Sequence, residues 1–213
     1  MDNKNATDLF AFPGSAHNSE PWWSALFSTL LLHLATHPSH GPIPLRRFTT
    51  SGTKWGYECE GNLELPAGLQ FGQILTEPRL SQRVFGVTDW DYSFEALRPD
   101  VAVIVPGARF AILVENKTIG ADLGTKGRQL RTGLELTMYL RTHSWKAESL
   151  FLLSVGYTNN RDLKLIRDSK VRIILWEDAF KLMNKIDRFR ELFIGIDLSV
   201  YCNAEQSGTG WQG

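Results

Sequence analysis

Three residues, Asp100, Glu115 and Lys117, are of the types and at the spacing that could do chemistry. Two apolar, β-branched runs, residues 101–105 and 110–114, flank a Pro-Gly turn, which predicts strand, turn, strand. If Val105 pairs with Phe110, counting back along both strands sets Asp100 opposite Glu115. Directly opposed residues on one face have Cβ atoms about 4.5–5.5 Å apart. A side-chain period of two puts Glu115 and Lys117 on one face and sends Asn116 to the other. Opposed carboxylates repel, so something must offset them, either a divalent cation or Lys117. Asp and Glu oxygens suit a hard ion such as Mg²⁺ or Mn²⁺, with positions left for water and phosphate. A lysine beside it can orient or deprotonate water. These are the parts of metal-dependent phosphodiester hydrolysis. The bland alternative is a solvated cluster at two strand ends.

The elements that must position these groups follow from the same chain. Ser19 and Pro21 predict a helix start, and Trp22, Trp23, Leu26, Phe27, Leu30, Leu31 and Leu34 recur at helical spacing until Pro38. A loop is expected over 38–47, edge strands near 57–60 and 62–65, a short helix over 66–75, and a bent strand over 76–87. After Lys117, a helix is expected from about Thr125 to Thr142, with Leu130, Leu134, Met138 and Arg141 on one stripe, joined by Leu136 and Leu140. A buried strand over 149–156, a short helix within 160–170, a strand over 171–176 and a helix from Asp178 to Phe193 complete the reading. This order predicts a mixed α/β sandwich. Residues 1–65 are expected as a helical and irregular extension, 66–195 as the core, and 196–213 as a flexible tail.

Pro99-Asp100 followed by Glu115-Asn116-Lys117 at the end of an apolar strand resembles the PD-(D/E)xK nuclease superfamily. The stretch Ile112-Leu-Val-Glu-Asn-Lys-Thr118 is similar to its prokaryotic branch whose third core strand ends in "IENK". The resemblance covers roughly residues 66–180 and implies a restriction-endonuclease-like αβββαβ core with a mixed central sheet. It further implies a Mg²⁺- or Mn²⁺-dependent deoxyribonuclease that uses a metal-activated water. Asp100, Glu115 and the Asn116 carbonyl would hold the metal, and Lys117 would contact the scissile phosphate or the water. Many relatives add one more acid, for which Glu77 is the best candidate, ahead of Glu20, Glu58, Glu60 and Asp91. Many also carry Gln-x-x-x-Tyr on the following helix. Gln129 matches the first position, while Gly133 stands at the second.

Lys126, Arg128 and Arg131, near that helix start, are candidate phosphate contacts, with solvated helix charges as the alternative. Arg46, Arg47, Arg161, Lys164, Arg167, Lys170 and Arg172 would widen a basic surface if they shared a face. His33, His37 and His40 suggest a metal cluster, but the zinc-protease Glu is missing and Pro38 ends the helix. The seven tryptophans are expected as core or rim residues rather than a base-stacking platform, and only Trp55 and Trp90 have polar surroundings that would suit a ligand surface.

The chain of 213 residues has 43% hydrophobic and 22% charged residues and zero formal net charge, an ordinary globular composition without global attraction to nucleic acid. Two cysteines make neither a zinc pattern nor a disulfide framework, which favours a reducing, cytoplasmic setting. No signal peptide or spanning segment is expected. DNA is the expected partner. RNA, a homodimer and an immunity-type partner protein are also compatible, as is a non-catalytic binding module on the same fold. The repulsion between Asp100 and Glu115 predicts that removing either leaves the fold intact or slightly more stable.

Overall fold

The computed structural model describes residues 20–51, 54–117, 126–153 and 160–192. The expected loose N-terminus and flexible C-terminal tail lie outside them. The fold is α/β: a seven-stranded mixed sheet flanked by helices. Its strands are β1 (Pro44–Ser51), β2 (Lys54–Asn62), β3 (Ile74–Thr76), β4 (Val101–Val105), β5 (Phe110–Lys117), β6 (Lys146–Leu153) and β7 (Arg172–Leu175), in spatial order β2-β1-β7-β6-β5-β4-β3. The helices are α1 (Glu20–Thr36), α2 (Gln82–Phe85), α3 (Lys126–Thr142), α4 (Asn160–Ser169), α5 (Trp176–Met183) and α6 (Asp187–Leu192).

Strand β5 is the axis. It pairs antiparallel with β4 in the predicted register, Val105 opposite Phe110 through Val101 opposite Val114. On its other side it runs parallel to β6, and β6 runs parallel to β7, each step made by a helical crossover, α3 or α4. Period-two alternation splits the core. Val101, Val103, Ile112, Val114, Leu150, Leu152 and Ile174 pack on one face with α1 and α5. Ala102, Ile104, Ala111, Leu113 and Ala147 face the other way, with Leu136 and Leu140 of α3.

Several expectations are corrected. The loop expected over 38–47 stops at Ile43, and its last four residues open strand β1, which joins the sheet through Arg46 opposite Ile173. The prolines and glycine at its start, with its charges, hid it. Leu45 and Phe48 are buried on opposite faces, while Arg46 bonds Asp178 at 2.6 Å and Arg47 pairs with Glu60. The sheet therefore continues across residue 65. The short helix over 66–75 is a 3₁₀ turn, Phe71–Gln73, leading into β3. Helix α1 packs against β3, β4 and β5 in its place. The strand expected over 76–87 stops at Thr76, where Glu77 turns left-handed (φ 45°) and Pro78 has no N–H for a ladder; α2 follows. The expected helix over 178–193 is α5 and α6, with Asn184 and Asp187, types that favour helix ends, bracketing the break. On α3 the buried stripe is Leu130, Gly133, Leu136, Thr137 and Leu140, while Met138 is 65% exposed. Gly133 lies so close to β6 that a Cβ there would sit 3.1 Å from Ser149 Oγ.

Candidate active site

The end of the β4–β5 hairpin opens into a cleft of about 430 Å³ lined by Glu77, Arg79, Arg98, Asp100, Glu115 and Gln129. The structure thus brings together four of the residues singled out from sequence. Continuing the observed register by one pair sets Asp100 opposite Glu115 on the α3 face. Asp100 is buried, and its Oδ2 accepts from the Asn116 N–H at 2.7 Å. Its carbonyl accepts from the Glu77 N–H at 3.1 Å, which ties the β3 end to the acidic pair. Glu77 itself is exposed on the rim just after β3, not at the start of a strand.

One register step further, Pro99 lies opposite Asn116. In an antiparallel pair of this kind the N–H and C=O of one residue point to the same neighbour. The Asn116 N–H points towards β4, so its C=O does too, and Pro99 has no N–H to offer it. The proline before Asp100 thus leaves a strand carbonyl without a ladder donor, directed to the side of the acidic pair. The Asn116 side chain is fully buried on the opposite face, where Oδ1 accepts from Trp176 Nε1 at 3.0 Å and Nδ2 approaches Ser24 Oγ at 3.4 Å. Nothing in the local sequence signalled these two partners, which come from α5 and α1.

Lys117 has no exposed surface and lies outside the cleft lining, with Nζ 3.2 Å from Glu115 Oε1. The sequence led us to expect direct contact with a phosphate or water; the structure sets the ammonium against Glu115 instead. Buried beside Glu115, it offsets part of the repulsion that Asp100 opposite would exert on that carboxylate.

Gln129, from the first turn of α3, contributes a buried Oε1 with no hydrogen-bond partner among the described residues. A buried acceptor without a donor is costly, and such a group in a cleft suits a cation or a water held by one. Among the described residues, no three His, Cys, Asp or Glu side chains are grouped as a metal site. The donor set here is different: two carboxylates, a strand carbonyl and an amide oxygen, all hard oxygens of the kind Mg²⁺ and Mn²⁺ accept with water completing the shell. The residues present fit such an ion.

The remaining candidates are placed less favourably. The side chains of Lys126, Arg128, Arg161, Trp55 and Glu20 lie outside the described residues. Arg131 is exposed and bonds the Gly127 carbonyl of its own helix at 3.3 Å. Arg46, Arg47, Arg167 and Arg172 pair with Asp178, Glu60, Asp168 and Glu148, so they form no bare basic face. Among the weaker acids, Glu60 is one of those partners and Asp91 starts a 3₁₀ turn by accepting from Ser93 N. Trp90 is a core residue at 7% exposure, in keeping with the core-or-rim expectation for the tryptophans and not with a ligand surface. His33 stacks on His37 with ring centroids 4.5 Å apart and approaches His40 at 3.0 Å. Burial, then its two histidine neighbours, hold the His33 ring below its ordinary pKa.

Arg79 and Arg98 were missed. Their signal was adjacency: Arg98 directly precedes Pro99-Asp100, and Arg79 follows Glu77-Pro78.

Comparison of the chain with protein-family models, with curated proteins and with solved structures returned no match.

Proposed function

We propose that this chain is a metal-dependent nuclease on a restriction-endonuclease-like core, hydrolysing phosphodiester bonds of DNA. The observation that carries the reading is the convergence of Asp100, Glu115 and the Asn116 carbonyl at the open end of an apolar hairpin, above the buried Lys117. The sheet is rigid there, and its strand ends carry the polar groups, the common placement of α/β sites.

Asp100 and Glu115 would hold Mg²⁺ or Mn²⁺, with the Asn116 carbonyl and Gln129 Oε1 as further oxygen donors. Such an ion, when bound, supplies charge stabilisation at phosphorus oxygens and acidifies water. The chain's own part is positioning. The Asn116 N–H fixes the Asp100 carboxylate. Lys117, with Nζ 3.2 Å from Oε1, holds the Glu115 carboxylate in place. Glu77 stands on the rim where a water or a second ligand would enter.

The test is cleavage of supercoiled plasmid, single-stranded DNA and RNA in magnesium, manganese and EDTA by wild type and Asp100→Asn. Asparagine retains an acceptor for the Asn116 N–H but loses the charge, so the folded variant should lose at least about 100-fold in rate. Full activity in folded Asp100→Asn, or no metal-dependent cutting of any substrate by wild type, would refute the reading. One observation favours a second reading, a non-catalytic binding module: the complete burial of Lys117. Salt-dependent nucleic-acid binding without cutting would support it.

A further inference from the structure

The cleft carries two cations that the acidic pair does not use. Arg79 and Arg98 both line it and both are exposed. Three carboxylates share that cleft, yet neither arginine forms an ion pair with a carboxylate among the described residues. Arg98 is turned away from them by its own loop. Its Nη1 donates to the Leu97 carbonyl at 2.9 Å and to the Glu95 carbonyl, at the end of the 3₁₀ turn Tyr92–Ala96. Both bonds come from one nitrogen, so the Nη2–Nε edge of the guanidinium has no partner among the described residues. That edge is the planar fork that matches two oxygens of a phosphate. Arg79 projects from a segment held at both ends. Before it, the Glu77 N–H bonds the Asp100 carbonyl; after it, Leu80 is 2% exposed in the core.

We infer that Arg79 and Arg98 form a phosphate-binding wall on the β3 side of the cleft. The wall takes the backbone phosphate of a polynucleotide strand next to the one over Asp100 and Glu115. This deepens the nuclease reading and rests on it for the direction of the strand. Charge supports the assignment. Glu77, Asp100 and Glu115 are balanced formally by Arg79 and Arg98 together with the buried Lys117 behind the lining, so the site as a whole is neutral. A divalent cation on the acids makes it positive, and a polyanion is then attracted to it. The two arginines come from separate loops on an open rim, which suits a strand passing across rather than a small anion enclosed. They are positioning residues: they transfer no proton and touch no reacting atom.

The experiment is fluorescence anisotropy of the full chain with a labelled DNA oligonucleotide and, in parallel, its RNA counterpart. It is run in EDTA and in calcium, which binds oxygen ligands but is a weaker activator of water, at 50–200 mM salt. Arg79→Ala and Arg98→Ala should each bind about tenfold more weakly at low salt, the loss of one charged hydrogen-bonding contact. Each should also lose about 0.9 from the salt slope on duplex DNA, about 3.5-fold less weakening over that salt range. Arg98→Lys should recover the slope but only part of the affinity, because it keeps the charge without the fork. Arg190→Ala, on α6, is the control and should match wild type. The DNA and RNA arms show which backbone is preferred.

Unchanged affinity in both alanine variants, or no binding of either oligonucleotide by wild type in either condition, overturns the inference. Cleavage in magnesium, measured on the same proteins, separates the two ideas. Weakened binding with no cutting by wild type would keep the wall and sink the nuclease. Cutting by wild type with unchanged KM in both variants would keep the nuclease and sink the wall.

Discussion

Lys117→Met removes a buried ammonium while keeping a side chain of similar length. In the folded protein that ammonium has no exposed surface and lies 3.2 Å from Glu115 Oε1, whose side chain is 11% exposed. Breaking a buried pair by deleting one partner costs about 3–5 kcal/mol, because the other charge stays behind uncompensated. Glu115 keeps some contact with water, which points to the lower end, about 3 kcal/mol. Against a typical total of about 5–15 kcal/mol the variant should still fold. With a urea slope of about 2–3 kcal/mol/M, its midpoint should fall by about 1–1.5 M at unchanged slope. The assay is urea unfolding followed by tryptophan fluorescence, with and without magnesium. Without Lys117 the carboxylates face each other with less compensation, so magnesium should raise the midpoint of the variant more than that of wild type. Saturation at 100 times the dissociation constant is worth about 2.7 kcal/mol. By the same reasoning Glu115→Gln should destabilise, against the expectation from the hairpin alone that removing a carboxylate relieves repulsion. A Lys117→Met midpoint within about 0.3 M of wild type, with no added response to magnesium, would refute the argument.

Other outcomes follow from the packing around the site. Asn116→Leu should cost about 1–3 kcal/mol in urea unfolding, since it strands the buried Trp176 N–H; an unchanged midpoint would mean that this bond contributes nothing. Gly133→Ala should gain little alone, because the roughly 1 kcal/mol of helix propensity meets Ser149 Oγ at 3.1 Å. In a Ser149→Ala background the same change should raise Tm by about 2–4 °C; equal gains in both backgrounds would rule out the close contact. The His143 pKa is raised by its hydrogen bond to the Tyr139 carbonyl and further by Asp89, partly offset by desolvation. A raised folded pKa means a contribution to stability that is complete below the ordinary histidine value and lost as pH rises through the folded one. An NMR titration should place His143 above 6.5 in wild type and lower in Asp89→Asn; the same value in both proteins would remove Asp89 from the account.

What could be read along the chain was what local rules decide. The Pro-Gly turn and period-two alternation set the β4–β5 register, so Asp100 opposite Glu115, and Asn116 on the other face, followed from counting. The helix over α1 and the span of α3 followed from apolar spacing and from Pro38. Strand β1 did not, because Pro38, Gly41, Pro42 and Pro44 read as loop and its arginines find their partners only when Glu60 of β2 and Asp178 of α5 pack beside them. The burial of Lys117 was equally hidden. A lysine on a strand end is ordinarily exposed, and only its enclosure beside Glu115 takes it out of solvent. Gly133 in the place of an expected tyrosine became intelligible only when α3 lay against Ser149 of β6. Arg79 and Arg98, unremarkable in sequence, gained meaning when two loops set them on one rim. The division has one physical cause. Register and helical period are fixed within a few residues by backbone geometry. Burial, ion pairing and close approach depend on which remote segments pack there, and that is decided by the folded chain as a whole.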